Sequence, residues 1–403
     1  MKENRMMTIK QLKTQAEWEQ IHALSSYAFD VNHNEIQKEN FFKLCSIAKN
    51  FGDVLNGTLT SSLMLIPFDV SLFGKFIKMG GIGNVASYPE HRGQGNIRHL
   101  FNKVFSEMKN DQILVSYLAP FSQPFYRKFG YERLFIEQEL TVPSEVLKFV
   151  EVRDGYKVER IKEDNREARK ERLALYNCTL GRKHGNNQRS LTWYECCQTR
   201  ADNHHLAVVR DEQDQLVGYL DYKFDKEDVI ISEMIYETTA ALKMLLNFLT
   251  SHRSSFKNFI FGSLEDTSFL EYFDDTRVSK IYQTNGMMAR IVSMSSFLEQ
   301  LPIKKTIDGE VYLKVTEDVC AWNQGIIHWS FQDGVSKVTW VEAESQVATI
   351  PHYEASIGRW TQVLLGGMSL EKALNLGFVS CTHEDDFLGT VLLKGQPFLK
   401  DHF

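Results

Sequence analysis

The stretch Gly80-Gly81-Ile82-Gly83-Asn84-Val85-Ala86-Ser87-Tyr88-Pro89-Glu90-His91-Arg92-Gly93-Gln94-Gly95-Asn96-Ile97 carries the residue types that hold an anion. An extended run leads through a short turn into a glycine-bearing loop, and the loop opens into a helix. From Ile97 the apolar residues fall at Leu100, Phe101, Val104, Phe105 and Met108, steps of three and four that make one apolar helical stripe. Glycines before a helix start let backbone N–H groups approach a ligand closely, and the helix N-terminus adds partial positive charge. The chemistry that fits is the binding of a phosphate or pyrophosphate. A Walker loop is excluded, because no Gly-Lys-Ser/Thr follows at the needed spacing. A dinucleotide fingerprint wants Gly-x-Gly-x-x-Gly after the first strand and an acid about 20 positions on. Here Arg98 stands where the third glycine belongs. On spacing alone, a plain surface loop before a helix fits equally well.

Other reactive residue types point to less. His204-His205 and the neighbourhood of His383-Glu384 lack partners at metal-ligand spacing, so they read as solvated surface and no metal is expected. The six cysteines, Cys45, Cys178, Cys196, Cys197, Cys320 and Cys381, form no Cys-x-x-Cys pair and read as reduced core thiols of a cytoplasmic protein. No run of about 18 apolar residues exists, so no membrane span is expected. Met1 to Arg5 lead into mixed sequence without an apolar signal core, which speaks against secretion. A net charge of −6 argues against nucleic acid as the main partner and suits a cationic substrate.

The elements that position the loop follow from periodicity. At 403 residues, a prior of roughly 150 per domain gives two or three domains. A first strand is expected over residues 6–13, an amphipathic helix from Thr14 to Ala28, and a second from about Asn34 to Ala48. Extended runs follow at Phe51 to Asn56, Leu59 to Val70 and Lys75 to Tyr88, with Asn56-Gly57 as a hairpin turn. After the glycine loop and its helix come a short strand at Ile113 to Leu118 and a short helix at Pro124 to Phe129. Gly130 is the expected C′ residue of that helix. Tyr131 to Pro143 reads as a final strand pair.

That order is similar to the order in the GNAT acyl-CoA N-acyltransferases. Arg92-Gly93-Gln94-Gly95-Asn96-Ile97 resembles their coenzyme motif, Gln/Arg-x-x-Gly-x-Gly/Ala, with Ile97 departing at the last position. Phe125-Tyr126-Arg127-Lys128-Phe129-Gly130-Tyr131-Glu132 resembles their second signature, the aromatic turn after the fifth strand. Beyond a boundary near residues 146–160, Asp164 to Lys170 alternates charge as a solvated helix face does. Residues 205–262 then repeat the strand and helix plan. At the corresponding junction, Tyr236-Glu237-Thr238-Thr239-Ala240, there is no glycine and an acid takes the phosphate's place. This central unit reads as a GNAT copy that lacks coenzyme binding. From Val292 onward a strand edge and short helix lead into strands at Gly309 to Val315, Gly325 to Phe331, Val335 to Val341 and Ser345 to Ile350. Helices at His352 to Leu365 and Ser369 to Leu376 complete the expectation of a curved antiparallel sheet covered by helices. The whole chain resembles the Eis-like acetyltransferases, whose third domain is similar to sterol carrier proteins. The expected division is 1–150, 151–288 and 289–403, and the fold class is α+β with two mixed-sheet GNAT-like domains.

The resemblance implies transfer of an acetyl group from acetyl-CoA to a primary amine, with aminoglycoside-, polyamine- or lysine-like acceptors and a hexameric assembly. Acyl transfer from a thioester needs a held pyrophosphate, an oxyanion donor, an acid for the leaving thiolate and a base for the amine. The pyrophosphate is assigned to the backbone of Gly93, Gln94, Gly95, Asn96, Ile97 and Arg98, with Arg92 as a charge partner. Val85, Ala86 and Ser87 present main-chain groups to the pantetheine arm and one amide to the thioester oxygen, and Phe121 and Ser122 flank the coenzyme. The family signature puts the acid at Tyr126. A phenol near ~10 protonating a thiolate near ~8.5 is uphill by ~2 kcal/mol, an acceptable cost; from spacing alone, Tyr126 equally packs its ring beside Phe125 and Phe129. The family's base is the carboxylate of the last residue, here Phe403. A group near ~3.5 is a poor base for an ammonium near ~10 unless burial raises it, which an anchored terminal phenylalanine provides. Against it stand a frayed tail and the local bases His402 and Asp401. Phe29 and Asp30 either line the amine pocket or are a core aromatic and a surface acid. The competing reading of the whole chain is a non-catalytic binder of acyl-CoA, or of an apolar ligand held by the third domain.

Overall fold

The computed structural model describes residues 8–152, 155–161, 165–197, 204–341, 352–382 and 387–403. Its regular elements begin with β1 (Thr8–Leu12), α1 (Gln15–Phe29), α2 (Glu35–Ile47), β2 (Lys49–Leu55), β3 (Thr58–Leu72), β4 (Lys75–Ser87), α3 (Asn96–Asn110), β5 (Val115–Leu118), α4 (Gln123–Arg127) and β6 (Glu132–Arg133). Next come β7 (Ile136–Pro143), β8 (Lys157–Ile161), α5 (Arg166–Cys178), α6 (Leu191–Cys197), β9 (His204–Arg210), β10 (Leu216–Asp225), β11 (Asp228–Tyr236), α7 (Thr239–Thr250), β12 (Asn258–Phe261) and β13 (Lys280–Asn285). The last part holds β14 (Met288–Ile291), α8 (Met294–Gln300), β15 (Gly309–Thr316), β16 (Gly325–Gln332), β17 (Val335–Val341), β18 (His352–Ser356), α9 (Ile357–Leu364), α10 (Leu370–Asn375), β19 (Ser380–Cys381) and α11 (Phe387–Val391).

The chain divides into two compact units, residues up to 135 with 286–403, and residues 136–285. The first unit holds a mixed sheet in the order β1-β2-β3-β4-β5-β14-β6. Within it β4 and β5 run parallel while β3 and β4 form a long antiparallel ribbon. α3 lays its stripe on this sheet: Leu100, Phe101, Val104, Phe105 and Met108 are each 0% exposed. Burial of each stabilises by roughly 1.5–3 kcal/mol before entropy is counted, so the start of α3 is held on a fixed axis. α1 covers the opposite face, and its entry is fixed by a capping box in which Thr14 and Glu17 satisfy each other's backbone N–H.

One expectation fails here for a physical reason. Tyr131 to Pro143 is not a strand pair of the first sheet. Only β6 stays there, and β14 enters between β5 and β6, pairing Met288 with Leu118 and with Arg133. All four β14 residues are buried, as a strand covered on both faces requires. β7 instead joins the second unit's sheet, whose order is β13-β7-β12-β11-β10-β9-β8. That sheet carries α7 on its apolar face through Leu242, Leu245, Leu246 and Leu249.

The first unit's other sheet has the order β17-β16-β15-β18-β19. It is not wholly antiparallel, because β18 pairs parallel to β15 and makes that strand central. α9 packs between this sheet and the first one: Trp360 Nε1 donates to Lys314 O at 3.1 Å, and Thr361 Oγ1 accepts the Ile291 N–H at 3.0 Å. The strand expected at Ser345 to Ile350 lies outside the described residues, as do residues 6 and 7 of the first strand and Asp164.

Candidate active site

The strand β4 builds the site. Its parallel pairing with β5 ends at Ile82↔Leu118, yet β4 runs on to Ser87, still paired to β3 as far as Ser61↔Ser87. From Gly83 to Ser87 its β5-facing edge has therefore passed the last ladder bond, and main-chain groups of Val85, Ala86 and Ser87 lie where an extended ligand arm would pair. A bulge sits in this stretch: Met64 opposes Gly83 and Ser62 opposes Ala86, so Asn84 and Val85 together face Leu63. Asn84 takes a left-handed φ of 50°, which asparagine tolerates better than most side chains. Its Oδ1 accepts from the Ser25 hydroxyl of α1 at 2.5 Å.

Beyond β4 the loop turns through Gly93 and Gly95, with φ of 74° and 86°. A Cβ at Gly93 would meet nothing within 4 Å, and at Gly95 only His99 Cε1 at 3.9 Å, so conformation rather than packing demands glycine. Gly95 is the N-cap of α3 and supplies no side-chain bond, and no acid lies in the first turn. The first helical bond joins His99 N–H to Gly95 O, leaving the amides of Asn96, Ile97 and Arg98 without helical acceptors. The corresponding helix of the second unit differs. Thr238 caps α7 with its own hydroxyl, which accepts from Ala241 N–H at 3.1 Å. Arg92 donates to Ser87 O at 3.3 Å, and Gln94 to Glu90 O at 3.2 Å, so both side chains brace the loop. Arg98 is exposed and lies over the Phe129 ring at 5.8 Å. Ile97 packs its side chain against the core under α3, which gives the branched residue a place inside the helix rather than over the loop.

Tyr126 sits on α4, directly after β5. It is 3% exposed and wedged among Phe101, Phe121, Phe125 and Tyr131 at ring-centroid distances of 5.1–6.3 Å. Burial alone pushes its hydroxyl well above the ordinary phenol range. Ser122 precedes the helix at its N-cap, and Phe121 is 71% exposed with its ring edge-on to Tyr126. Gly130 closes the turn at φ 76°, where a Cβ would strike Ile357 at 2.9 Å and Arg290 Nη1 at 3.1 Å. Arg290 was not legible in the sequence. It is fully buried, donates to Phe129 O and to Glu317 Oε2 (2.7 Å), and so ties the turn carrying Tyr126 to β14 and the region after β15.

Phe403 docks on the α1 side of β4. Its ring stacks on Phe68 with centroids 5.2 Å apart. A Cβ on Gly81 would lie 2.8 Å from that ring, and one on Gly83 would lie 3.4 Å from the carboxyl carbon of Phe403. The two glycines thus make the recess the residue occupies. His402 is exposed and Asp401 is 8% exposed beside it in sequence. Phe29 is 50% exposed, which removes it from the core, and Asp30 caps α1 on the surface in a left-handed conformation. Tyr27, one helical step before, brings its ring to 5.6 Å from Tyr88, just beyond β4. The histidine pair His204-His205 is absorbed by structure, His204 bonding Asp221 at 3.0 Å and His205 packing on Tyr222 and Phe224. His383-Glu384 lies outside the described residues.

A strand edge released beside an uncapped, glycine-led helix is the arrangement that the resemblance to GNAT acyltransferases implies. Residues 8–134 match the model of an acetyltransferase (GNAT) domain, residues 185–291 a second model of that description, and residues 294–399 a sterol carrier protein domain. The chain belongs to the GNAT acetyltransferases of Eis-like architecture. A probable N-acyltransferase from Enterococcus faecalis V583 is 29% identical over 99% of this chain and 100% of its own, with a TM-score of 0.88. A GCN5-related N-acetyltransferase from Anabaena variabilis is 19% identical over 98% and 100%, TM-score 0.84, and Eis1 from Mycobacterium abscessus 14% over 99% and 100%, TM-score 0.81; these two share the fold. No curated protein matches the chain in sequence. Among the described residues, no helix is long and apolar enough to cross a membrane.

Proposed function

We propose that the chain transfers the acetyl group of acetyl-CoA to a primary amine by direct attack in a ternary complex. The observation that carries this is the sequence of groups along β4. The carboxyl group of Phe403 at Gly83, a strand edge past its last pair, and an uncapped helix start follow one another between Gly83 and Gly95. The α3 amides and the Gly93–Gly95 turn take the pyrophosphate, helped by the charge of Arg92 and Arg98. Main-chain groups from Val85 to Ser87 align the pantetheine arm, one N–H facing the thioester oxygen, and Phe121 and Ser122 flank the arm from the β5 side. The carboxylate of Phe403 accepts the amine's proton as the nitrogen attacks. Collapse of the tetrahedral intermediate releases the thiolate, which the Tyr126 hydroxyl protonates. Burial that raises this phenol also raises a thiolate formed against it, so the proton-transfer gap stays near its solution size. Phe29 and Asp30, with Tyr27, form the acceptor's approach, and an exposed acid there suits a cation.

The acceptor class is aminoglycoside-, polyamine- or lysine-like, the location cytoplasmic, and the assembly a hexamer. A non-catalytic acyl-CoA binder is favoured by one feature, Ile97 in the coenzyme motif. The deciding experiment follows thiol release from acetyl-CoA with a panel of polyamines, aminoglycosides and lysine derivatives. Amine-dependent release is expected. Measurable acetyl-CoA binding with no release for any amine would replace the enzyme reading by the binder.

A further inference from the structure

Asn84 carries a feature that the reaction scheme above does not use. The bulge in β4 sets Asn84 and Val85 together opposite Leu63, and the bond from Ser25 turns the Asn84 side chain toward α1, on the side where Phe403 packs on Gly81 and Gly83. Gly81, Gly83 and Ala86 of β4 supply no side-chain polar group of their own. The Phe403 ring lies over Gly81, its carboxyl carbon lies at Gly83, and Asn84 is the next residue along. Ser25, 6% exposed on α1, holds Oδ1 at 2.5 Å and so fixes which way the amide points. The other end, Nδ2, is buried and has no hydrogen-bond partner. An unsatisfied buried donor is costly, and its left-handed backbone adds strain at the same residue. Both features persist at a position that glycine would fill without strain or an orphaned donor.

We propose that Asn84 is a positioning residue for the acceptor-side carboxylate: in the coenzyme-bound enzyme its Nδ2 donates to the carboxylate of Phe403, orienting one oxygen toward the incoming amine. The inference rests on the assignment of Phe403 as base. A charge-assisted bond of this kind fixes the carboxylate's direction and favours its ionised form, offsetting the effect of burial. Bonds of catalytic groups commonly tighten only in the liganded state, which fits a donor that has no partner in this one.

The test uses the full chain labelled with phenylalanine enriched at the carboxyl carbon, saturated with desulfo-CoA, and titrated by carbon NMR. The labelled carboxylate of Phe403 reports its own ionisation without any acceptor. Asn84→Gly removes the amide and relaxes the backbone; Asn84→Asp keeps the shape and replaces the donor by an acceptor. The ionisable side chains on the elements around it, Tyr27 and Asp30 of α1, Tyr88 beyond β4, and Asp401 and His402 of the tail, stay the same in both variants. The carboxylate midpoint is expected to rise by about 1 pH unit in Asn84→Gly and further in Asn84→Asp, with desulfo-CoA affinity unchanged. Equal midpoints in wild type and Asn84→Gly overturn the proposal. Normal amine turnover after removal of Phe403 would instead overturn the base assignment, and the titration tells the two failures apart.

Discussion

Replacing Tyr126 by phenylalanine separates chemistry from packing. The ring is 3% exposed and meets Phe101, Phe121, Phe125 and Tyr131, contacts that phenylalanine keeps. Among the described residues its hydroxyl has no hydrogen-bond partner, and burial raises its titration. Removing a hydroxyl that holds no partner should leave stability unchanged or slightly raised, within about 1 kcal/mol. Turnover is a different matter. Without an acid the thiolate must leave unprotonated into an apolar wedge, and loss of general-acid help lowers kcat by about 10²–10⁴, or roughly 3–5 kcal/mol of barrier. KM for acetyl-CoA should hardly move, because the hydroxyl bonds the leaving group only as it forms. The assay is thiol release at saturating amine, paired with a denaturant midpoint. A variant of normal stability with kcat within threefold of wild type would refute the role of Tyr126 as acid and return its ring to core packing.

Gly81→Ala places a Cβ 2.8 Å from the Phe403 ring and 3.0 Å from Phe68. Overpacking of about 1–3 kcal/mol should displace the tail, lowering kcat about tenfold or more while acetyl-CoA affinity measured by calorimetry stays constant. Gly95→Ala meets nothing nearer than 3.9 Å, so its cost is the left-handed backbone, about 1–2 kcal/mol; acetyl-CoA should bind roughly 5- to 30-fold more weakly. Burial raises the hydroxyls of Tyr117, Tyr126 and Tyr131. A raised folded-state value means their contribution is complete below the unfolded phenol's ~10 and lost as pH climbs above it, so denaturant midpoints should hold to pH ~10 and fall beyond. A flat midpoint through that range would contradict the burial of these rings.

The glycine loop and the helix behind it were legible because both rest on local rules: φ-permissive residues at a turn and a stripe of period near 3.6. The junction Tyr236-Glu237-Thr238-Thr239-Ala240 was legible locally as well, from its lack of glycine, and there Thr238 caps α7 with its own hydroxyl. The placement of β14 was not legible. Four buried residues, Met288–Ile291, read alike as a strand of either sheet, and the partner Leu118 is set by tertiary pairing rather than by neighbours in sequence. The parallel seating of β18 on β15 was hidden for the same reason. At the site, Asn84 gave no signal, since nothing in Gly83-Asn84-Val85 announces a bulge until Leu63 is seen to face two residues. Arg290 read as one cation among many. Its burial against Glu317 and the Phe129 carbonyl comes from long-range packing. Phe29 illustrates the converse, an apolar residue at helical spacing that lies half exposed.

The central claim is that one thioester lies along the free edge of β4, between the Tyr126 hydroxyl and the carboxylate of Phe403. A crystal structure with the unreactive ketone analogue of acetyl-CoA measures it directly. The account requires the pyrophosphate on the α3 amides, the carbonyl oxygen facing main-chain N–H near Val85, and the acyl carbon within reach of both groups. An analogue bound with its acyl end away from β4, or at another site altogether, would contradict it.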